Sequence, residues 1–184
     1  MKTLDEKKKL LEVSYFGFLK RYAKLYGERE VFLSMGKREY SFHEAYLIVC
    51  HLASKMKKLG IRKGDYVIVP AKRVMETPLV FLALSLLNAT MIPLDIHETP
   101  SFRIPDFPSL PISGFFFWEK DIFLYTDRTS THTIGFLMAD KEEENEAEKM
   151  EKDNDVDFRS LLLFTSGSTG KRKGVLLSQK NYLA

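Results

Sequence analysis

A single cysteine, Cys50, leaves this 184-residue chain without an internal disulfide, and no set of cysteines and histidines has metal-ligand spacing. The four histidines, His43, His51, His97 and His132, are scattered, which argues against a paired base or a ligand cluster. Charge of one sign is also lacking. With 28 basic and 25 acidic residues the formal net charge is +3, too small for the total to draw a nucleic acid or an anionic membrane. The longest apolar run, Pro78 to Leu87, is about half a membrane span. Met1 to Glu12 alternates Lys with Asp and Glu and has no apolar stretch of a signal peptide. Amides are scarce too, with one Gln and four Asn. These absences exclude a disulfide scaffold, a zinc module and a membrane-spanning helix, and the expectation is a cytoplasmic protein in a reducing compartment. What is present suits a packed core: 45% of the residues are hydrophobic and 12% aromatic. At roughly 100 to 200 residues per domain, the length fits one domain, or one with an appendage.

Periodicity supplies the elements. Leu10, Val13, Phe16, Leu19, Tyr22, Ala23 and Tyr26 recur every three or four residues, predicting an amphipathic helix over 9–26 closed by Gly27. Glu30 to Ser34 and Glu39 to Ser41 read as a hairpin turning at Met35, Gly36 and Lys37. Ser41 with Glu44 is a capping box, and the apolar face from Phe42 to Leu59 predicts a helix ending at Gly60, with Cys50 beside that face as a small core residue. Tyr66 to Val69 is a short run of the buried-strand type. Thr77 and Pro78 read as N-cap and first position of a helix to about Asn88, and Thr90 to Leu94 as the next strand. Strand, helix, strand at this spacing is a βαβ unit and implies a parallel sheet. Gly114 to Trp118, Ile122 to Tyr125 and Thr131 to Ala139 look like further strands, with Trp118 and its Phe neighbours in the core.

Charge is uneven along the chain. Residues 141–157 hold six Glu and three Asp against three Lys, whereas 159–184 hold five cations and no acid. The expectation is an exposed acidic linker or loop over 141–157, with a solvated helix as the alternative, then a basic closing segment. That segment lacks the interleaved aromatics of a nucleic-acid binder. Within it, the apolar Ser160 to Phe164 and Gly174 to Ser178 predict two strands, and Ser178 to Leu183 the first turn of a helix.

Between those strands, Thr165 to Gly174 packs four hydroxyls, three glycines and three cations into ten residues. Phosphate binding calls for these types: glycine lets backbone N–H groups approach the oxygens, hydroxyls donate, and a cation offsets the charge. The loop is not a Walker A sequence, because Thr165 and Arg172 stand where that pattern needs Gly and a hydroxyl.

Residues 164 to 175, Phe-Thr-Ser-Gly-Ser-Thr-Gly-Lys-Arg-Lys-Gly-Val, resemble the phosphate-binding signature of the adenylate-forming superfamily of acyl-CoA synthetases, aryl-CoA ligases, luciferases and peptide-synthetase adenylation domains. Leu86 to Asp95, Tyr40 to Glu44 and Leu59 to Val67 resemble upstream segments of the same family in the same order. Arg172 departs from the usual Pro of the signature, and Gln179 stands where many members have His.

The resemblance implies an α/β fold, a partly parallel sheet flanked by helices, equivalent to the opening portion of the large N-terminal domain of such an enzyme. Residues 1–184 would be an incomplete subdomain of it. The implied site is Thr165, Ser166, Gly167, Ser168, Thr169 and Gly170 with Lys173, gripping the β- and γ-phosphates of ATP, with Lys171 and Arg172 facing solvent. Implied companions are ATP and Mg2+, and, in the complete enzyme, a carboxylic acid and coenzyme A. The magnesium-binding Glu and catalytic Lys of the family are expected outside these residues. The chain alone is therefore expected to be inactive, and to pair either as a homodimer or with a complementing polypeptide. The alternative is an inert scaffold subunit of such a pair.

Overall fold

Short apolar runs that are buried on both sides build the centre of a sheet in the computed structural model, which describes residues 13–94, 110–127, 129–165 and 173–183. In chain order the elements are α1 (Tyr15–Tyr26), β1 (Val31–Met35), β2 (Arg38–Ser41), α2 (Phe42–Lys58), β3 (Tyr66–Pro70), α3 (Glu76–Leu86), β4 (Thr90–Leu94), β5 (Ile112–Glu119), β6 (Ile122–Thr126), β7 (Thr131–Thr133), α4 (Lys141–Lys152), β8 (Arg159–Thr165), β9 (Lys173–Ser178) and α5 (Gln179–Leu183). The main sheet has the order β7-β6-β5-β3-β4-β8-β9. Its middle is parallel, with β3 between β4 and β5 and with β8 beside β4. Antiparallel strands close both sides, β6 and β7 on one and β9 on the other. The expected α/β architecture with a partly parallel sheet is present, and β1 and β2 form a separate hairpin.

Alternation along β3 explains its unbroken apolar run. Val67 and Val69 join the large cluster formed with α1, α2, α3 and α4, while Ile68 joins Ile92 and Leu162 in a smaller cluster on the other face. A strand buried on both faces has no polar position. The helices are set by local signals where those exist. Ser14 accepts a hydrogen bond from the Gly17 N–H at 3.0 Å to open α1, and Gly27, at φ 60°, closes it. The Ser41–Glu44 box opens α2, which buries Cys50 completely. No described helix is long and apolar enough to cross a membrane.

Three expectations need correction. Thr77 does not cap α3: the helix starts at Glu76, and the Thr77 hydroxyl donates to the Lys72 carbonyl at 3.1 Å. Glu76 sits in the first turn, where the helix dipole favours a carboxylate, and is paired with Arg38 at 2.8 Å, which extends the helix past the Thr-Pro signal. The strand expected over Thr131 to Ala139 stops at Thr133, because the chain then turns Ile134 and Phe136 into the core, where Phe136 meets the Phe123 ring at 5.5 Å.

The third correction is the larger. Residues 141–152 are no exposed linker or loop but the helix α4, opened by an Asp140–Glu143 capping box and seated through Ala147 and Met150. Its acids meet partners on the helices beneath. The Ser54 hydroxyl donates to Glu146 at 2.6 Å, Lys57 lies 3.2 Å from the same carboxylate, His51 is 3.0 Å from Glu143, and Lys20 is 2.9 Å from both Glu148 and Glu151. The acidic run reads as solvated in isolation because these partners come from elements about 90 to 130 residues away.

Two predictions follow from this packing. The Ser54 hydroxyl and then Lys57 hold Glu146 below the usual carboxylate range, and Lys20 does the same for Glu148. A group whose folded pKa is depressed stabilises the fold above its unfolded pKa and loses that contribution as pH falls through the folded value. The exchange protection of α4 amides, relative to their intrinsic rate at each pH, should therefore fall before that of α2 as pH drops below about 4.3; an equal fall in both helices would contradict the ionic seating. Separately, a Cβ on Gly114 would lie 2.5 Å from the Tyr125 hydroxyl and 2.6 Å from the Thr126 carbonyl, which is backbone and cannot step aside. Gly114→Ala should cost about 1–3 kcal/mol in denaturant unfolding.

Candidate functional site

The hydroxyl- and glycine-rich loop joins β8 to β9. Their antiparallel register runs from Leu161 opposite Leu177 to Thr165 opposite Lys173, so the last strand pair stands at the two ends of the loop. Because β8 runs parallel to β4, and β4 parallel to β3, the loop leaves the sheet at the carboxyl ends of the parallel strands. In open α/β sheets that edge is where ligands bind. Of the expected site residues, the structure describes Thr165 and Lys173 and brings their backbones together as a strand pair. Ser166, Gly167, Ser168, Thr169 and Gly170, and also Lys171 and Arg172, lie outside the described residues. Lys173 is exposed. A Cβ on Gly174 would lie 2.9 Å from the Leu162 Cδ1, the flexible end of that side chain.

The same edge carries exposed cations that the sequence pattern does not single out, Lys72 and Arg73 just after β3. The Lys72 ammonium lies 5.4 Å from the centre of the Trp118 ring, a cation–π contact near the end of β5. Their signal in the sequence is only that two cations directly follow a buried strand.

At the far end of β9, Gln179 is 1% exposed and fully engaged. Its Oε1 accepts from the Tyr15 N–H at 2.9 Å, and its Nε2 donates to Asn154 Oδ1 at 3.1 Å. Asn154 Nδ2 donates in turn to the Ser85 carbonyl at 2.7 Å, and Asn88 Oδ1 accepts from the Asp155 N–H at 2.9 Å. The sequence marks Gln179 only as a departure from a family His with little functional weight, and does not single out Asn154 or the side chain of Asn88. Scarcity was the available signal, in a chain with one Gln and four Asn.

Other reactive groups are accounted for by packing. Burial pushes the Cys50 thiol up to about 12, which removes it as a nucleophile. His51 pairs with Glu143, and His132 lies 2.9 Å from the Ser130 hydroxyl; His97 lies outside the described residues. Among the described residues no three His, Cys, Asp or Glu converge as a metal site. A cavity of about 490 Å³ bordered by Ile61, Arg62, Lys63 and Asn88 opens at the amino ends of β3 and β4, opposite the loop.

The family model for AMP-binding enzymes matches residues 19–103, from within α1 through β4. Over that segment the chain is similar to AMP-binding enzymes. Among adenylate-forming relatives, 4-coumarate–CoA ligase-like 2 of Arabidopsis thaliana is 28% identical over 172 aligned residues, covering 80% of this chain and 30% of that protein. Acetyl-coenzyme A synthetase of Rhizobium rhizogenes is 27% identical over 212, covering 95% of this chain and 32% of that protein. Bacitracin synthase 1 of Bacillus licheniformis is 32% identical over 121, covering 65% of this chain and 2% of its own length. The chain thus spans a third or less of these relatives. The fold agrees with solved adenylate-forming structures. The N-terminal subdomain of Klebsiella oxytoca NpsA superposes with a TM-score of 0.61 at 19% identity, covering 91% of this chain and 41% of that one. The o-succinylbenzoate coenzyme A synthetase of Bacillus subtilis, solved with AMP, gives 0.60 at 18% identity, covering 90% and 42%. The chain therefore resembles the N-terminal part of acyl-adenylate-forming ligases, as its motifs imply.

Proposed function

We propose that the loop from Thr165 to Lys173 is the triphosphate-gripping element of an ATP-dependent, AMP-forming ligase that activates a carboxylic acid and passes the acyl group to coenzyme A. The observation that carries this reading is the β8–β9 register, which sets Thr165 against Lys173 at the carboxyl edge of the parallel strands, in a chain similar to AMP-binding enzymes. The hydroxyls of Thr165, Ser166, Ser168 and Thr169 and the N–H groups of Gly167 and Gly170 donate to the β- and γ-phosphates, while Lys173 offsets their charge. A carboxylate oxygen attacks the α-phosphorus, the bond to pyrophosphate breaks, and the thiol of coenzyme A then displaces AMP from the acyl-adenylate. The loop's share is positioning and stabilising the charge that accumulates on departing pyrophosphate. Relatives named as CoA ligases and synthetases favour coenzyme A as the acceptor. Mg2+ finds no cluster of acids among the described residues, so no step is assigned to it.

The chain spans a third or less of these relatives' length, and the partner proposed for it is a second copy of the chain or a complementing polypeptide. A cytoplasmic setting agrees with the free, buried thiol of Cys50.

Residues 1–184 alone should not catalyse carboxylate-dependent exchange of pyrophosphate into ATP; exchange above background with any carboxylate would sink the division of labour just described. Lys173→Ala should weaken binding of ATP or inorganic triphosphate roughly ten- to a hundredfold, the usual loss for a hydrogen bond to a charged group. Titration calorimetry in which Lys173→Ala matches the parent while Lys171→Ala does not would move the contact to the other lysine.

A further inference from the structure

The hairpin that presents the loop has an ambiguous sequence. β8 offers Leu161, Leu162 and Leu163, and β9 answers with Leu177, Leu176 and Val175. Both strands are apolar at successive positions, so a slip of one residue replaces Leu with Leu or Val on each face. Hydrophobic patterning sets register only where the two faces differ. The strand is also at the sheet edge, with Lys173, Gly174 and Val175 exposed and Leu176 to Ser178 half-buried. Gly174 is a weak restraint, because the atom its Cβ would meet is the mobile end of Leu162.

Over 173–181, Gln179 is the one buried residue. Its amide bridges two helix ends that lie outside the hairpin. Oε1 takes the Tyr15 N–H, a first-turn donor of α1 with no partner inside its own helix, and Nε2 reaches Asn154, which holds the Ser85 carbonyl near the end of α3. The Lys180 N–H adds a bond to the Val156 carbonyl at 3.1 Å. A slip of β9 by one residue would withdraw the Gln179 amide and strand these buried groups, a larger penalty than any Leu-for-Leu exchange.

We infer that Gln179 is a positioning residue that fixes the β8–β9 register, and through it the length and placement of the loop between Thr165 and Lys173. The register claim stands on the hairpin itself; its effect on phosphate binding rests on the function proposed above.

Disulfide trapping reads the register directly. In the full chain, Leu163→Cys with Val175→Cys reports the observed pairing, and Leu163→Cys with Leu176→Cys reports the slipped one; Cys50 is wholly buried and does not compete. With Gln179 intact only the first pair should close quickly. Gln179→Met, similar in shape without the amide, should raise trapping of the slipped pair at least about tenfold, as expected for losing buried hydrogen bonds. It should weaken triphosphate binding, and closing the Leu163→Cys/Val175→Cys bridge in the Gln179→Met chain should restore it. A lower melting temperature with unchanged trapping preference would overturn the inference and leave Gln179 a packing residue. Should Gln179→Met not fold, Gln179→Glu keeps the acceptor for Tyr15 and loses the donor, and unchanged trapping there is equally fatal. If the parent binds no triphosphate, the functional reading fails while the trapping ratio still decides the register.

Discussion

Two-sided burial of β3 and β4 is the constraint from which the rest of the architecture follows. Val67, Val69 and Met91 face one cluster, Ile68 and Ile92 the other, and backbone groups so placed can be satisfied only by strands on either side. That demand brings β5 to one flank and β8 to the other. β8 pairs parallel to β4, which places its carboxyl end beside that of β4. The loop after Thr165 reaches the ligand-binding edge for this reason, before any feature of the loop itself is considered.

What was legible in the sequence was what is local. The Ser41–Glu44 box, the Gly27 stop and the run Tyr66 to Val69 each carry their signal within a few residues, and each forms the expected element. The hydroxyls, glycines and cations between the two apolar strands are an equally local signal in the sequence, and residues 166–172 lie outside the described residues. α4 was not, because its docking depends on Lys20, His51, Ser54 and Lys57 from two other helices, and only Ala147 and Met150 supply an apolar face. Thr77 misled because a good local cap was overridden by the ion pair of buried Glu76 with exposed Arg38, a partner on β2.

The Gln179 cluster shows the same division at the site. Amides carry no periodic signal, and their value here is that one side chain both donates and accepts. Helix ends that meet inside a protein leave N–H and C=O groups of opposite need close together. Tyr15 presents a donor and Ser85 an acceptor, and Asn154 and Gln179 join them in one chain of bonds. A hydroxyl is too short for that span and an acid or a lysine has only one of the two functions.

Placement of α4 also bears on the electrostatics of the loop. As a sequence, an acidic stretch directly before a basic one suggests mutual neutralisation. In the fold, the acids of α4 are spent on Lys20, Lys57 and His51 along the helical layer, and α4 leads into the amino end of β8, a full strand away from Thr165. Exposed charges separated by more than about 10 Å are largely screened at moderate salt. A seven-residue strand, Arg159–Thr165, spans about 23 Å at 3.3 Å per residue, so the end of α4 that leads into β8 lies well beyond that range from Thr165. Among the described residues, Lys72, Arg73 and Lys173 are exposed cations at that edge, the sign a polyphosphate requires.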